Sequence, residues 1–332
     1  MASRNQTDAS LEVAAVFASK DSMEIKIMQE SAGVTSLVVK NYFIDQMSEH
    51  ADSGKKITHA KFTSGIESSL LDERKRLKLK LPSHLVADLT EWCYPPIVQS
   101  GGRYDLKPSA ASDEHNLHAG TIICALGVRY KSYCSNIART YLINPEPVKE
   151  KNYTFLLALQ KHMINELIKP EVACNVIYNS ALEYVESNRP DLVPHLTKNF
   201  GFGMGIEFRE SALLISPKNS RPVPVDAVLN LAIGFVDLHA DKNNESRTNT
   251  YSLFLADTIH VTPERCILMT EVDSSLAVIS YSLGEESESD AANGVEESAK
   301  KSRGGVVLSK KLRSDSNKNV RNLFFDLGQF GP

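Results

Sequence analysis

The chain has 332 residues, with 37 Lys and Arg against 41 Asp and Glu, a formal net charge of −4. It is 42% hydrophobic and 23% charged, a globular composition long enough for one large domain or two ordinary ones. The charge balance argues against a mainly DNA-binding chain without excluding a local basic patch, and the five cysteines (Cys93, Cys124, Cys134, Cys174, Cys266) include no Cys-x-x-Cys, which predicts reduced thiols in an intracellular compartment.

Polar Met1–Ser10 carries no secretory pattern, and no 18-residue apolar stretch predicts a membrane span. Residues 1–11 are expected to be disordered. Asp21 with Glu24 three residues on predicts a capping box. A long helix follows, with Met23, Ile27, Val34, Leu37 and Ile44 assigned to one face, and Gly54 ends it. A second helix is expected over Thr58–Leu79; its run Asp72-Glu73-Arg74-Lys75-Arg76 reads as a solvated face, a nucleic-acid contact being the minority reading. Pro95-Pro96 is a hard break. Ile97–Gly102 reads as a strand into a turn, Lys107–Gly120 as a polar loop, and Thr121–Val128 as a buried strand. Cys124 and Cys134 fall in apolar, strand-like segments and read as core. Tyr130–Tyr141 continues the sheet until Asn144-Pro145-Glu146-Pro147 stops it.

The pattern then repeats. Lys149–Ile168 and Val172–Ser187 read as helices. A glycine-rich turn, a strand at Ile206, strands at Ala227–Phe235, Thr250–Leu255 and Thr258–Val261, and a closing segment Val272–Tyr281 complete it. Two halves, near 15–141 and 147–281, each with a helix pair and strands, predict an α+β domain with internal pseudo-symmetry. Beyond Gly284 the composition changes: Glu285–Asp290 is acidic, and Lys300–Arg303 and Lys310–Arg313 are basic. Residues 283–332 therefore read as an acidic-then-basic linker. The basic clusters read equally as a soluble tail or a nuclear import signal.

Gly201-Phe202-Gly203-Met204-Gly205 is the stretch the rest is organised around. Its context, helix before and strand after, excludes a dinucleotide fingerprint, and no Gly-Lys-Ser/Thr follows to make a phosphate loop. A tight sheet corner is the plain reading. The stretch also resembles the Gly-His-Gly-Ile-Gly…His-Glu segment of the aminopeptidase P, methionine aminopeptidase and creatinase family, which implies the pita-bread fold. In that family two Asp, one His and two Glu hold a pair of metal ions for peptide hydrolysis. The resemblance puts those ligand positions at Ala125 (in Ala125-Leu126-Gly127), Asn136 (in Tyr133-Cys134-Ser135-Asn136-Ile137-Ala138-Arg139-Thr140), Phe202, Ala232 and Ala256 (before Asp257-Thr258). Every ligand is replaced, so the expectation is a pseudo-enzyme with no metal, cofactor or catalytic residue. His115 and His118 share a polar loop but lack the further ligands zinc requires, and read as surface residues.

Gly101–Ser112, Arg129–Asn136 and Gly203–Glu210 further resemble the large subunit of the FACT histone chaperone, in its plant-like form, over residues 12–282. The resemblance implies a catalytically inactive peptidase-like domain without the smaller N-terminal lobe, followed within residues 283–332 by the start of a truncated next region. It implies histone partners (H3–H4 and/or H2A–H2B), an HMG-box partner subunit engaged through regions largely absent here, and a place in the nucleus on chromosomes. Direct DNA binding by this fragment is not expected. Arg139, Arg209 and Glu210 are its candidate histone-tail residues. Two alternatives stay open: a metallopeptidase-fold hydrolase, or a non-functional truncated paralogue or scaffold.

Overall fold

Asp21 starts the first helix. Its carboxylate accepts from the N–H groups of Met23 and Glu24, and the Asp21 N–H donates to the Glu24 carboxylate at 2.7 Å, the capping box read from the sequence. Asp21→Ala leaves these donors to water and is expected to lower stability by about 1 kcal/mol. An unchanged urea midpoint would show that the cap contributes nothing. The computed structural model describes residues 13, 14, 16–240 and 249–282; the expectations for 1–11 and 283–332 fall outside these.

Helix α1 (Ser22–Val38) passes through a π-helical turn, Val39–Phe43, into α2 (Ile44–Ser53). Gly54 ends it in the left-handed region, where glycine carries no Cβ penalty. The face expected from a strict helical period is only partly the buried one. Met23 is exposed; the buried residues are Met28, Ser31, Ala32, Val34, Thr35, Ser36 and Val38, then Val39, Tyr42, Phe43 and Met47. The π turn inserts a residue and rotates the stripe beyond Val39; Met23 and Ile27 precede it and are not moved by it. Ser31 and Thr35 are buried because their hydroxyls bond Ser135 Oγ at 2.9 and 2.6 Å, which a hydropathy pattern does not register. The helix expected over Thr58–Leu79 is two: α3 (His59–Leu71) and α4 (Glu73–Leu79). Asp72 between them adopts extended geometry and accepts from the Lys75 N–H, capping α4.

Three short strands, Thr90–Trp92 (β1), Val128–Tyr130 (β4) and Tyr133–Cys134 (β5), form a small sheet in the order β1-β4-β5. The main sheet is built from Ile97–Ser100 (β2), Thr121–Leu126 (β3), Ile137–Ile143 (β6), Gly201–Gly203 (β7), Ala227–His239 (β8) and Thr250–Val261 (β9). Along these six the order is β2-β3-β6-β9-β8-β7, every neighbouring pair antiparallel. Three strands come from each half and meet at a β6–β9 seam, so the second half mirrors the first. The second half repeats the helices too: α5 (Pro147–His162) ends in its own π turn, Met163–Leu167, before α6 (Cys174–Asn188). This is the pseudo-symmetric α+β pita-bread arrangement the resemblance implied.

Three local expectations are corrected. The strand in the glycine stretch is Gly201–Gly203 itself, and Ile206–Arg209 forms a bent loop with Ile206 exposed. Gly205 N–H bonds the Glu207 carbonyl, which closes the chain into a turn and defeats the apparent alternation. Thr250–Val261 is one unbroken strand. Of Val272–Tyr281, only Ser280–Tyr281 pairs, parallel to β6; the four residues before it are helical. The helices cover one face of the main sheet, where Val38, Phe43, Phe62, Tyr141, Leu156 and Ile177 share the principal core. The other face is the concave one.

Candidate functional site

Strand register assembles the site. Ala125 lies opposite Ala138, Ala138 opposite Ala256, and Ala256 opposite Ala232, a single row across β3, β6, β9 and β8. Two residues along each strand is a second row. There Thr258 lies opposite Asn230, and Asn230 opposite Phe202 on β7. Asn136 joins it by backbone: its N–H donates to Thr258 Oγ1 at 2.8 Å, and that hydroxyl donates to the Asn136 carbonyl at 3.0 Å. A side-chain period of two puts both rows on the same face. The five positions assigned to metal ligands thus share one face of the sheet.

Their chemistry is apolar and closed. Ala125, Ala138 and Ala256 pack with Ile97, Ile123 and Phe254, with Tyr94, Tyr104 and Leu106 at the margin. In the second row the Tyr94 hydroxyl donates to Asn136 Oδ1, and Asn136 Nδ2 donates to Asn230 Oδ1 at 3.1 Å. Burial holds the Tyr94 phenol well above its ordinary pKa, so it remains a protonated donor. Phe202 meets Phe208 edge-on at 5.5 Å, and Phe208 meets Tyr94 likewise at 5.0 Å. A pair of divalent ions needs several oxygen or nitrogen donors. Three methyl groups and a phenyl ring have none, and the one amide oxygen already accepts from Tyr94. These residues do not fit the metal pair of the pita-bread peptidases. Among the described residues no group of three His, Cys, Asp or Glu converges as an ion site. Beside the rows, at the β2 edge, lies a cavity of ≈ 240 Å³ lined by Gln99, Tyr104, Asp105, Arg103, His59 and Asp113.

The glycines close the site's outer wall. A Cβ on Gly201 would lie 2.1 Å from the Asn230 carbonyl oxygen, and one on Gly205 would lie 2.3 Å from Glu210 Oε1. At Gly201, where the neighbour is backbone, only glycine permits the approach; at Gly205 a Cβ would push on the Glu210 and Lys20 side chains. Beyond them Arg209 is exposed, its guanidinium 5.4 Å from the centre of the Phe202 ring. Glu210 is half-buried and committed: Lys20 Nζ, itself buried, donates to both its carboxylate oxygens at 3.0 Å. Burial raises the Glu210 carboxyl above its usual range against the pull of Lys20.

Arg139 is corrected as a tail-binding candidate. It is 1% exposed, on the helix-covered face, and bonds Asp257 through its two terminal guanidinium nitrogens at 2.7 and 3.1 Å. It has no surface to offer a ligand. Cys124 and Cys134 are buried, as read. His115 and His118 are both exposed, and His115 bonds Asp113 at 2.8 Å. Sequence reasoning missed Tyr94, Asn230 and Thr258, the groups that seal the second row. Asn230 carried a signal: an asparagine inside an apolar strand is disfavoured unless a partner satisfies it.

Fold and rows together define a creatinase-type peptidase fold in which the five positions assigned to metal ligands carry no metal-binding set. The chain belongs to metallopeptidase family M24, whose profile matches residues 26–263. It is 39% identical to the FACT complex subunit SPT16 of Candida albicans, over 85% of this chain and 28% of that protein. It therefore spans little more than a quarter of that relative's length. The N-terminal domain of FACT complex subunit SPT16 from chickpea superposes with a TM-score of 0.74 at 40% identity, covering 80% of this chain and 62% of that one. Identity to plant and fungal forms is thus nearly equal. An X-Pro aminopeptidase from Thermotoga maritima shares the fold at a TM-score of 0.62 with 18% identity, over 80% of this chain and 65% of that one.

Proposed function

We propose that this chain is a non-catalytic histone-binding module of a FACT-like histone chaperone, acting in nucleosome reorganisation during transcription, replication and DNA repair. One observation carries the reading. In a chain this similar to FACT complex subunits, the five positions assigned to metal ligands share one face of the sheet and hold methyl groups, a phenyl ring and a sealed amide. The hydrolase alternative needs donors where there are none.

A former peptide cleft keeps features that suit an extended chain: an apolar wall, strand edges and a side pocket. The proposed partners are H3–H4 and/or H2A–H2B. An HMG-box subunit would join through regions of the longer relatives that this chain does not span. The place of action is the nucleus, on chromosomes; direct DNA binding is not part of this reading. The test is a titration of labelled H3–H4 and H2A–H2B with the purified chain at low and physiological salt. Binding that persists at physiological salt supports a specific module. Binding confined to low salt would reduce the interaction to charge attraction and sink the reading.

Arg209 is the clean probe of the cleft, because it is exposed and free of ion pairs among the described residues. Arg209→Ala is expected to weaken a labelled histone tail about three- to tenfold in fluorescence anisotropy, the scale of one rim cation. Unchanged affinity would remove this wall from the binding face. Glu210→Ala is a poor probe, since it strands the buried Lys20 ammonium.

A further inference from the structure

The face formed by α4 and the end of α3 lies apart from the cleft. His59 of α3 bonds Ser100 Oγ at 2.7 Å, and Ser100 alternates with Gln99, which lines the concave side. α3 and α4 thus lie on the helix-covered side of the sheet. Residues 71–80 hold Arg74, Lys75, Arg76, Lys78 and Lys80 against two carboxylates, Asp72 and Glu73, in a chain of net charge −4. None of the five cations forms an ion pair among the described residues. Lys75 and Arg76 bond Ser68 Oγ and the Leu70 carbonyl, leaving Arg74, Lys78 and Lys80 exposed to solvent. Leu77 is 75% exposed and Leu71 71%. Arg74, Leu77 and Lys78 are at i, i+3 and i+4, one stripe of the helix. The opposite side is fixed: Leu79 is fully buried and its carbonyl accepts from Asn41 Nδ2 at 2.8 Å.

We propose that this face docks an acidic peptide segment bearing an apolar anchor residue. Uncompensated cations interleaved with bare leucines select that chemistry. Nucleic-acid phosphates would reward the cations alone, leaving both leucines in water. A membrane surface needs a longer apolar stripe than one seven-residue helix provides. An acidic peptide neutralises Arg74 and Lys78 while its anchor covers Leu77.

The test uses the full chain and a fluorescein-labelled 16-residue peptide of Asp and Glu carrying two Leu and one Phe. A peptide of equal charge with Ser at those three places, a 16-base-pair DNA duplex and phosphatidylserine vesicles are compared beside it. The apolar-anchored peptide is expected to bind about five- to tenfold tighter than the Ser peptide, the scale of one leucine covered. Leu77→Ser should erase that difference, and Arg74→Glu with Lys78→Glu should lower affinity more than tenfold. Both variants alter exposed side chains, so an unchanged Tm serves as the folding control. Equal binding by the two peptides, no effect of either variant, or tighter binding of the duplex or the vesicles would overturn the proposal.

Discussion

Arg139→Met should cost about 3–5 kcal/mol of folding stability, the scale for breaking a buried ion pair by removing one partner. Arg139 and Asp257 are 1% exposed each. The guanidinium also donates to the carbonyls of Ala138, Ala256 and Val272 at 2.8 to 3.0 Å, so it links β6, β9 and the segment after β10 (Cys266–Leu268). With Met in its place, Asp257 keeps only Gln160 Nε2 at 2.8 Å and Thr270 Oγ1 at 2.6 Å. Two neutral donors cannot compensate a carboxylate withdrawn from water. The double variant Arg139→Met with Asp257→Leu removes the stranded charge and should recover a substantial part of the loss. The recovery is incomplete, because Gln160 and Thr270 then lose their acceptor. Urea denaturation of the three proteins reads this directly. A single variant within 1 kcal/mol of the natural chain would show that the pair does not hold the seam.

That seam explains a misreading. Arg139 sits in the segment Tyr133–Thr140, whose frame resembles the peptidase family, and its charge there suggested a ligand contact. Along β6, however, Ala138 faces the concave side, so Arg139 must face the helices. Alternation alone would have placed it, had Ala138 and Ala125 been recognised as register partners. The register depends on long-range pairing, which one strand's sequence does not encode. The fold was legible where local chemistry sufficed. Asp21 and Glu24 specified a helix start, Gly54 its end, and Thr121–Leu126 a buried strand. It was not legible where an element's geometry is set from outside. The π turn at Val39–Phe43 shifts the buried stripe without any residue type that announces it. Ile206–Arg209 alternates like a strand but forms no ladder with any strand among the described residues. The site shows the same division: the five assigned positions came from motif resemblance, whereas the Tyr94–Asn136–Asn230 seal joins residues that only the folded sheet brings together.

Restoring the five donors together (Ala125→Asp, Asn136→Asp, Phe202→His, Ala232→Glu and Ala256→Glu) should turn a metal-indifferent protein into one whose stability depends on a divalent cation. Register puts these positions in two adjacent rows on one face, with neighbouring strands about 4.8 Å apart. Four carboxylates crowded there repel one another and are partly desolvated, so without metal the variant should melt well below the natural chain. Phe202→His adds to that loss by removing the edge-on contact with Phe208. A bound ion reverses the sign of the local field. An ion present at 100 times its dissociation constant adds about 2.7 kcal/mol, or roughly 5–10 °C in Tm for a domain of this size. The natural chain, with methyl groups in the first row, should show no such shift with Mn²⁺ or Zn²⁺. The comparison isolates the frame from its chemistry. A metal-dependent rise in the variant alone would mean that strand geometry still presents a dinuclear peptidase site and that side-chain replacement is what removed it. No rise in the variant would mean that the backbone rows have also drifted from metal-binding geometry, and the assignment of these five positions would fall with it.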